Sequence, residues 1–411
     1  MAVAWLEERN TVTSFLNDMP DGKSKSIDIE FSVPFVHRLR VTHDVAEADF
    51  AQLLDVLKPG GSGPAKVLLV AESPVVQSSD KVERIHQKLY DADSINLVAP
   101  PVSVVGGEAV KNSTDVVKQV LGEINRHDLD RRSYIVAVGG GAMLDAVGYA
   151  AAVAHRGIRL VRLPTTTLAQ ADSGVGVKNA INYFGKKNWV GTFAVPWAVI
   201  NDSGLLTTLS DRDFQSGFSE AVKVSLLKDR GEFEWLCQNA DAIRQRDLQA
   251  ASRAIHRSCM LHLLHITEGG DPFEVLEARP LDFGHWSAHK LEPITDYQIR
   301  HGEAVAIGVA IDCLYSSMKH GLPESDALHV CECLARMGMQ LWHDALQPVD
   351  RLMHGLEEFR QHLGGRLTIT MLAGVGESIN VHEIDTTAMK AAIKKLQHVA
   401  KDLESRLVDA R

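Results

Sequence analysis

Between residues 30 and 205 the chain alternates short, β-branched apolar runs with longer stretches whose apolar positions recur every three or four residues. The short runs KVLLVAE (Lys66 to Glu72), INLVAPP (Ile95 to Pro101), YIVAVGG (Tyr134 to Gly140), GIRLVRLPT (Gly157 to Thr165) and WAVINDS (Trp197 to Ser203) predict strands. SDKVERIHQKLYDA and STDVVKQVLGEINRH, lying between them, have helical periodicity with serines placed as N-caps. This alternation predicts a parallel α/β sheet covered by helices on both faces.

From residue 209 onward the β-branched runs thin out. DFQSGFSEAVKVSLLKD, LQAASRAIHRSCMLHLLHI, GEAVAIGVAIDCLYSSMKHG and AMKAAIKKLQHVAKDLESRL all read as helices. The expected organisation is an N-terminal extension (1–28), an α/β domain with a Rossmann-like parallel sheet (29–208) and a mostly α-helical domain (209–411). A chain of 411 residues exceeds what one hydrophobic core usually supports, in keeping with two domains.

Composition narrows the function. With 43 Lys+Arg against 53 Asp+Glu, a net charge of −10, the chain is not a general nucleic-acid binder, although a local cationic pocket for a small anion remains open. Five cysteines without a CxxC point to a reducing compartment rather than a disulfide framework. The first residues carry acids early and no continuous apolar core, so neither a signal peptide nor a membrane span is expected, and the reading is cytoplasmic.

Three stretches carry chemistry. In AVGGGAMLDAVGYAAAV (Ala137 to Val153) an apolar strand, three glycines and a helix follow one another, which lets a phosphate approach backbone N–H groups at a helix N-terminus. This is not GxGxxG, and a tight strand-to-helix turn explains it equally well. Glu72, ending the first clear strand, is placed to accept ribose hydroxyls, and VVGGEAVKNS puts Glu108 and Lys111 after another strand. PTTTLAQADSGVGVKNAINYFGKKNWVGTF (Pro164 to Phe193) reads as a long polar loop with Asp172, Lys178, Lys186, Lys187 and Asn188, suited to a phosphorylated substrate. The helical half contributes Glu220 and Lys223, His285 and His289, and His301. A carboxylate and two imidazoles make a usual catalytic zinc set. Four-residue spacing puts His285 and His289 on one helix face, and leaves open whether they are core residues, metal ligands or substrate contacts.

In order and wording, GGGAMLD, the RG at Arg156, PTTTLAQADSGVGVK, GKKNWVG, SEAVK, FGHWSAH and HGEAVAIG resemble segments of the sugar phosphate cyclase superfamily, which includes 3-dehydroquinate synthase. The resemblance runs from Lys66 to Gly376 and implies a dehydroquinate synthase-like fold. It implies a divalent metal, zinc or cobalt, on Glu220, His285 and His301. NAD would be held by Glu72, Glu108, Lys111, Gly140, Gly141, Asp145, Thr165, Thr166 and Lys187. Asp172, Lys178, Asn188, Lys223 and His289 would face the substrate, and Arg156 would reach the substrate phosphate of a neighbouring subunit in a homodimer. The implied reaction is transient oxidation of an alcohol, phosphate elimination, re-reduction and aldol closure, with no net redox change.

Departures from that family concern the substrate carboxylate. Where dehydroquinate synthases carry a contacting lysine, Cys259 to Thr267 offers His262 and His265 instead. The contacting arginine aligns with Ala278, with Arg279 adjacent, and the usual asparagine is Asp282. A lysine pair near the C-terminal end is replaced by Arg360 and Gln361, of which Arg360 still suits phosphate. Losing fixed cations and gaining an anion leaves a carboxylate poorly compensated, whereas Asp282 suits hydroxyl groups. The expected substrate is thus a carboxylate-free ketose phosphate, sedoheptulose 7-phosphate, with the motifs closest to the 2-epi-5-epi-valiolone synthase branch. The alternatives are 3-dehydroquinate synthase, an NAD-linked metal-dependent polyol dehydrogenase, and a non-catalytic protein that keeps the fold.

Overall fold

The computed structural model describes residues 28–61, 63–276, 279–362 and 366–409. The expected N-terminal extension, apart from Asp28, and Ala278 lie outside them. Residues 37–411 form one compact unit.

The described strands are β1 (Leu39–Thr42), β2 (Ala65–Glu72), β3 (Ile95–Leu97), β4 (Val102–Val104), β5 (Tyr134–Gly139), β6 (Arg159–Pro164), β7 (Lys178–Tyr183), β8 (Lys186–Phe193), β9 (Ala198–Asp202), β10 (Ile369–Gly374) and β11 (Glu377–Val381). Seven of them make a parallel sheet in the order β1-β9-β6-β5-β2-β3, with β4 also on β2. All five expected strands are present. The run at Ile95 is split, because Pro100 and Pro101 lack the N–H a ladder needs.

Helices α1 (Phe50–Val56), α2 (Ser73–Ser78), α3 (Lys81–Tyr90), α4 (Asp115–Arg126) and α5 (Gly141–Val153) lie between the strands. Alternate residues of β2 face opposite cores: Leu68 and Val70 pack with α4 and α5, while Val67, Leu69 and Ala71 pack with α1 and α3. That two-sided burial is why the strands read as apolar runs. Neither expected serine stands at the N-cap, which is Asp80 in α3 and Thr114 in α4, although Ser113 Oγ accepts from Asp115 N at 3.0 Å.

Sheet order places the chemistry. From β2 the chain moves outward to β3, whereas from β5 it moves the other way through β6 to β9, so the topological switch point lies between the carboxyl ends of β2 and β5. Glu72 and Gly140 stand at those two ends.

The stretch expected to be a polar loop is instead a π-helical turn, Ala169–Ser173, followed by the antiparallel hairpin β7–β8. Its inner positions are buried although two are asparagines, because Asn179 accepts a bond from the buried Arg162 and Asn182 donates to Asn112. Burial by hydrogen bonding leaves no apolar alternation to detect.

The second half is helix-rich: α6 (Asp211–Ser216), α7 (Phe218–Lys228), α8 (Arg230–Gln238), α9 (Ala240–Arg244), α10 (Leu248–Glu268), α11 (His285–Ile294), α12 (His301–Lys319), α13 (Glu324–Arg336), α14 (Val349–His362) and α15 (Thr386–Asp409), with the hairpin β10–β11 between the last two. Among the described residues no helix is long and apolar enough to cross a membrane. Helix α12 runs through the core, and α11 crosses it where Gly284 (φ 77°) meets Gly308. A Cβ on Gly308 would stand 1.9 Å from Gly284 O, so this approach requires glycine. The buried Asp312 fixes the start of α11, accepting from Gly284 N at 2.9 Å and Trp286 Nε1 at 2.8 Å.

Candidate active site

Helices α7, α11 and α12 bring Glu220, His285 and His301 together, with one potential ligand atom from each within 4.8 Å of the others. Glu220 Oε1 lies 3.6 Å from His285 Nε2 and 3.9 Å from His301 Nε2. Glu220 is 1% exposed, and among the described residues neither of its carboxylate oxygens has a partner of hydrogen-bonding geometry. Lys223 Nζ, one turn along α7, approaches Oε2 to 2.5 Å as an ion pair. Burial raises the Glu220 carboxyl and pushes the His285 imidazole well below its ordinary value. The neutral His285 imidazole and the Glu220 carboxylate, paired at Oε2 with Lys223 and open at Oε1, offer donor atoms to a divalent cation.

Both histidines are oriented from behind. His285 Nδ1 donates to Phe283 O at 3.1 Å, and His301 Nδ1 to Glu292 Oε2 at 3.1 Å, which leaves each Nε2 lone pair for the cluster. Glu292, 2% exposed at its side chain, also accepts from Lys187 Nζ at 2.7 and 2.8 Å, and Lys187 in turn meets Glu108 at 3.3 Å. Burial would raise the Glu292 carboxyl, but His301 and Lys187 hold it well below its ordinary range. Thus hairpin β7–β8 is tied through Lys187 to a residue that orients His301. His289 shares the face of His285, with ring centroids 5.3 Å apart, and its ring stacks 6.2 Å from His301, yet it is not among the three converging ligand atoms.

A charged pocket adjoins this cluster. Asp172, on the π-helical turn, lies 2.9 Å from His262 Nδ1 on α10. Burial opposes its charge, but His262 and Lys223 hold it well below the ordinary carboxylate range. Burial likewise disfavours the Lys223 cation, and Glu220, Asp172 and Asp282 more than restore it. Against the desolvation around it, Asp282, Glu274 and Asp172 hold the Lys178 ammonium above its ordinary value. Lys178 pairs with Glu274, whose other oxygen lies 3.8 Å from Arg279 Nε. His265, one turn past His262, is pushed down to about 4 by burial and Lys228, so it is neutral near pH 7.

At the switch point, Gly107 N and Gly140 N donate to Glu72 Oε1 and Oε2 at 3.0 and 2.5 Å. Gly140 caps α5 and Gly141 begins it, with no side-chain cap, so its first-turn N–H groups suit an anion such as a pyrophosphate. The buried Lys111 pairs with Asp145 at 2.7 Å. Thr165 N donates to Gly139 O, and Thr166 Oγ1 accepts from Ala169 N, which closes the turn over the strand ends. Arg162, fully buried on β6, donates to Gly174 O, Gly176 O, Lys178 O and Asn179 Oδ1 at 2.6–3.2 Å. It fixes the loop between Asp172 and Lys178.

Three expected residues lie apart from the cluster. Arg156 is exposed in a left-handed turn (φ 63°) at the amino end of β6. Six residues of strand, about 20 Å, separate it from the Thr165 end. Asn188 is exposed, with a left-handed φ of 54° that asparagine tolerates, and its backbone N–H donates to Asn182 Oδ1. Arg360, expected to meet phosphate, is held on its own helix by a two-bond pair with Glu357, at 2.8 and 2.6 Å, which Gln361 joins.

Sequence reasoning passed over Glu292, Arg162, Asp312 and Glu274. For Glu292 there was a signal: it follows His285 and His289 at i+7 and i+3, on one helix face.

Residues 101–216 match the family described as 3-dehydroquinate synthase N-terminal, and residues 217–358 its C-terminal counterpart. The chain is 31% identical to the 3-dehydroquinate synthase of Halorhodospira halophila over 78% of its own length and 89% of that protein's. It is 31% identical to that of Rhodopseudomonas palustris over 86% and 96%. A 2-epi-5-epi-valiolone synthase from Streptomyces hygroscopicus, solved with NAD+ and Zn2+ bound, shares the fold at TM-score 0.80 and 23% identity, covering 90% of this chain and 99% of that one. A 2-deoxy-scyllo-inosose synthase complexed with carbaglucose-6-phosphate, NAD+ and Co2+ follows at 0.72 and 21%, covering 87% and 96%.

Proposed function

This chain belongs to the 3-dehydroquinate synthase family of sugar phosphate cyclases, and we propose that within it the protein is an NAD- and metal-dependent lyase that cyclises sedoheptulose 7-phosphate with loss of phosphate. In this reading residues 29–208 hold the dinucleotide and residues 209–411 the metal and most substrate contacts.

Glu220, His285 and His301 fit zinc or cobalt, because two imidazoles with their Nε2 atoms turned to the cluster and a buried carboxylate with Oε1 facing them form a nitrogen-rich set with positions left over. The crevice lined by Glu72, Glu108, Lys111, Gly140, Gly141, Asp145, Thr165, Thr166 and Lys187 fits NAD, with the uncapped start of α5 toward its phosphates. When bound, these groups would supply reversible hydride exchange and polarisation of substrate oxygens.

The protein's own groups do the rest. Lys223, charged and buried between Glu220 and Asp172, stabilises negative charge developing on a substrate oxygen. Asp172 and His262 form a pair able to hold a proton at a substrate hydroxyl. Lys178 and His289 take the phosphate end, with His289 also placed for proton transfer beside the candidate metal cluster, while Asn188, exposed on β8, stands apart from them. Arg156, remote from its own chain's cluster, serves the site of a second copy in a homodimer.

The charge of Asp282 carries the substrate assignment. It favours both the Lys178 and the Lys223 cations, so a substrate carboxylate beside them would meet a fixed anion, while a hydroxyl would find an acceptor. Phosphate release from each candidate sugar phosphate, with NAD and zinc or cobalt supplied, tests the assignment. Arg279, at the edge of the same pocket, favours 3-dehydroquinate synthase as the second reading, and turnover of the heptulosonate phosphate alone would establish it.

A further inference from the structure

The loop between α10 and α11 inverts the usual solvation order. Val275 and Leu276 are 85% and 63% exposed, whereas the Glu274 side chain beside them is 20% exposed and turned into the protein. The inversion is built, since apolar residues in an unconstrained turn would be the ones to bury. Asp271 holds the turn, its carboxylate accepting from Val275 N at 2.7 Å and Leu276 N at 2.8 Å, while its carbonyl accepts from Glu274 N at 3.2 Å. Phe273 packs on Phe193 of β8 with ring centroids 5.6 Å apart. Glu274 itself adopts a left-handed φ of 51°, a conformation that costs a residue with a Cβ and persists only where its surroundings impose it.

The tucked carboxylate lies between two cations at the mouth of the charged pocket. One oxygen pairs with Lys178, and the other lies 3.8 Å from Arg279 Nε, a buried nitrogen with no hydrogen-bond partner among the described residues. The charge of Asp282 also favours the Lys178 cation.

We propose that Glu274 is a specificity-determining residue: it supplies from the protein the anion that Arg279 would otherwise take from a carboxylated substrate, and so selects a substrate with a neutral hydroxylated end. This rests on the cyclase reading above and names a residue that sets its substrate class. A carboxylate entering beside Arg279 must displace Glu274 or share that cation with it, and both routes weaken binding. A hydroxymethyl group faces neither penalty and finds acceptors in both carboxylates.

The test compares binding of two probes to the zinc-loaded protein with NAD withheld, so that no oxidation can begin: sedoheptulose 7-phosphate and a 3-deoxy-heptulosonate 7-phosphate, which carries a carboxylate. Glu274→Gln keeps the size of the side chain and removes its charge. It should shift the affinity ratio about tenfold toward the carboxylated probe. Adding Arg279→Gln should take most of that shift away. An unchanged ratio in Glu274→Gln overturns the proposal, and so does equal tightening of both probes, which would make Glu274 a regulator of phosphate binding alone. Because binding is read without turnover, this outcome is separate from failure of the cyclase reading, which would appear as no phosphate release by the wild-type protein from any ketose phosphate.

Discussion

Glu292 and His301 form a buried carboxylate–imidazole pair, Oε2 to Nδ1 at 3.1 Å, that joins two halves of the site. The same carboxylate takes both short bonds from Lys187 on β8, so the hairpin β7–β8 and a proposed metal ligand share one anchor. Glu292→Gln keeps the shape but weakens the acceptor that orients His301. Metal affinity should fall about 10- to 100-fold, measured by competition with a chelating dye. An unchanged affinity would separate Glu292 from the metal cluster.

The two histidines of α11 should behave differently although they share a face. His285→Ala should lose both bound metal and activity. His289→Ala should keep near-stoichiometric metal and lose activity, because its ring adjoins the cluster without joining the three converging ligand atoms. Elemental analysis of both variants beside phosphate-release assays would show the split.

Arg162→Ala should destabilise the fold by roughly 3–5 kcal/mol, because one truncation strands three carbonyls and the Asn179 amide oxygen inside the protein. The loss is read as a lower denaturant midpoint. Arg162→Lys should recover only part of it, since an ammonium cannot reproduce the guanidinium fork.

Asp312 predicts a pH dependence. Burial lifts its carboxyl from 3.8 to about 7, against the Trp286 and Gly284 donors that favour its charge. The folded protein therefore binds this proton more tightly than the unfolded chain does. The associated stability is fully present below pH 3.8 and is lost as pH rises through about 7. Asp312→Asn should flatten the stability profile across that window relative to wild type, measured by urea unfolding at a series of pH values. Identical slopes would show that Asp312 does not titrate there.

The parallel sheet was legible because strands such as β2, buried on both faces, must be written in apolar residues. The hairpin β7–β8 was not, because Asn179 and Asn182 are buried through hydrogen bonds whose partners, Arg162 and Asn112, lie elsewhere in the chain. The candidate metal set was drawn from residue types and a family resemblance, and nothing local brings Glu220 to His285 and His301: the helix packing does, at the Gly284–Gly308 crossing. Glu274 was the least visible. In PFEVL it is the polar residue among apolar neighbours, and a turn held by Asp271 reverses the burial its pattern suggests.

The central claim concerns what the charged pocket accepts, and phosphate release tests it most directly. Purified protein with NAD and zinc or cobalt should liberate phosphate from sedoheptulose 7-phosphate, without net accumulation of NADH, and should leave the heptulosonate phosphate largely intact. Release from the heptulosonate phosphate and none from sedoheptulose 7-phosphate would contradict the account.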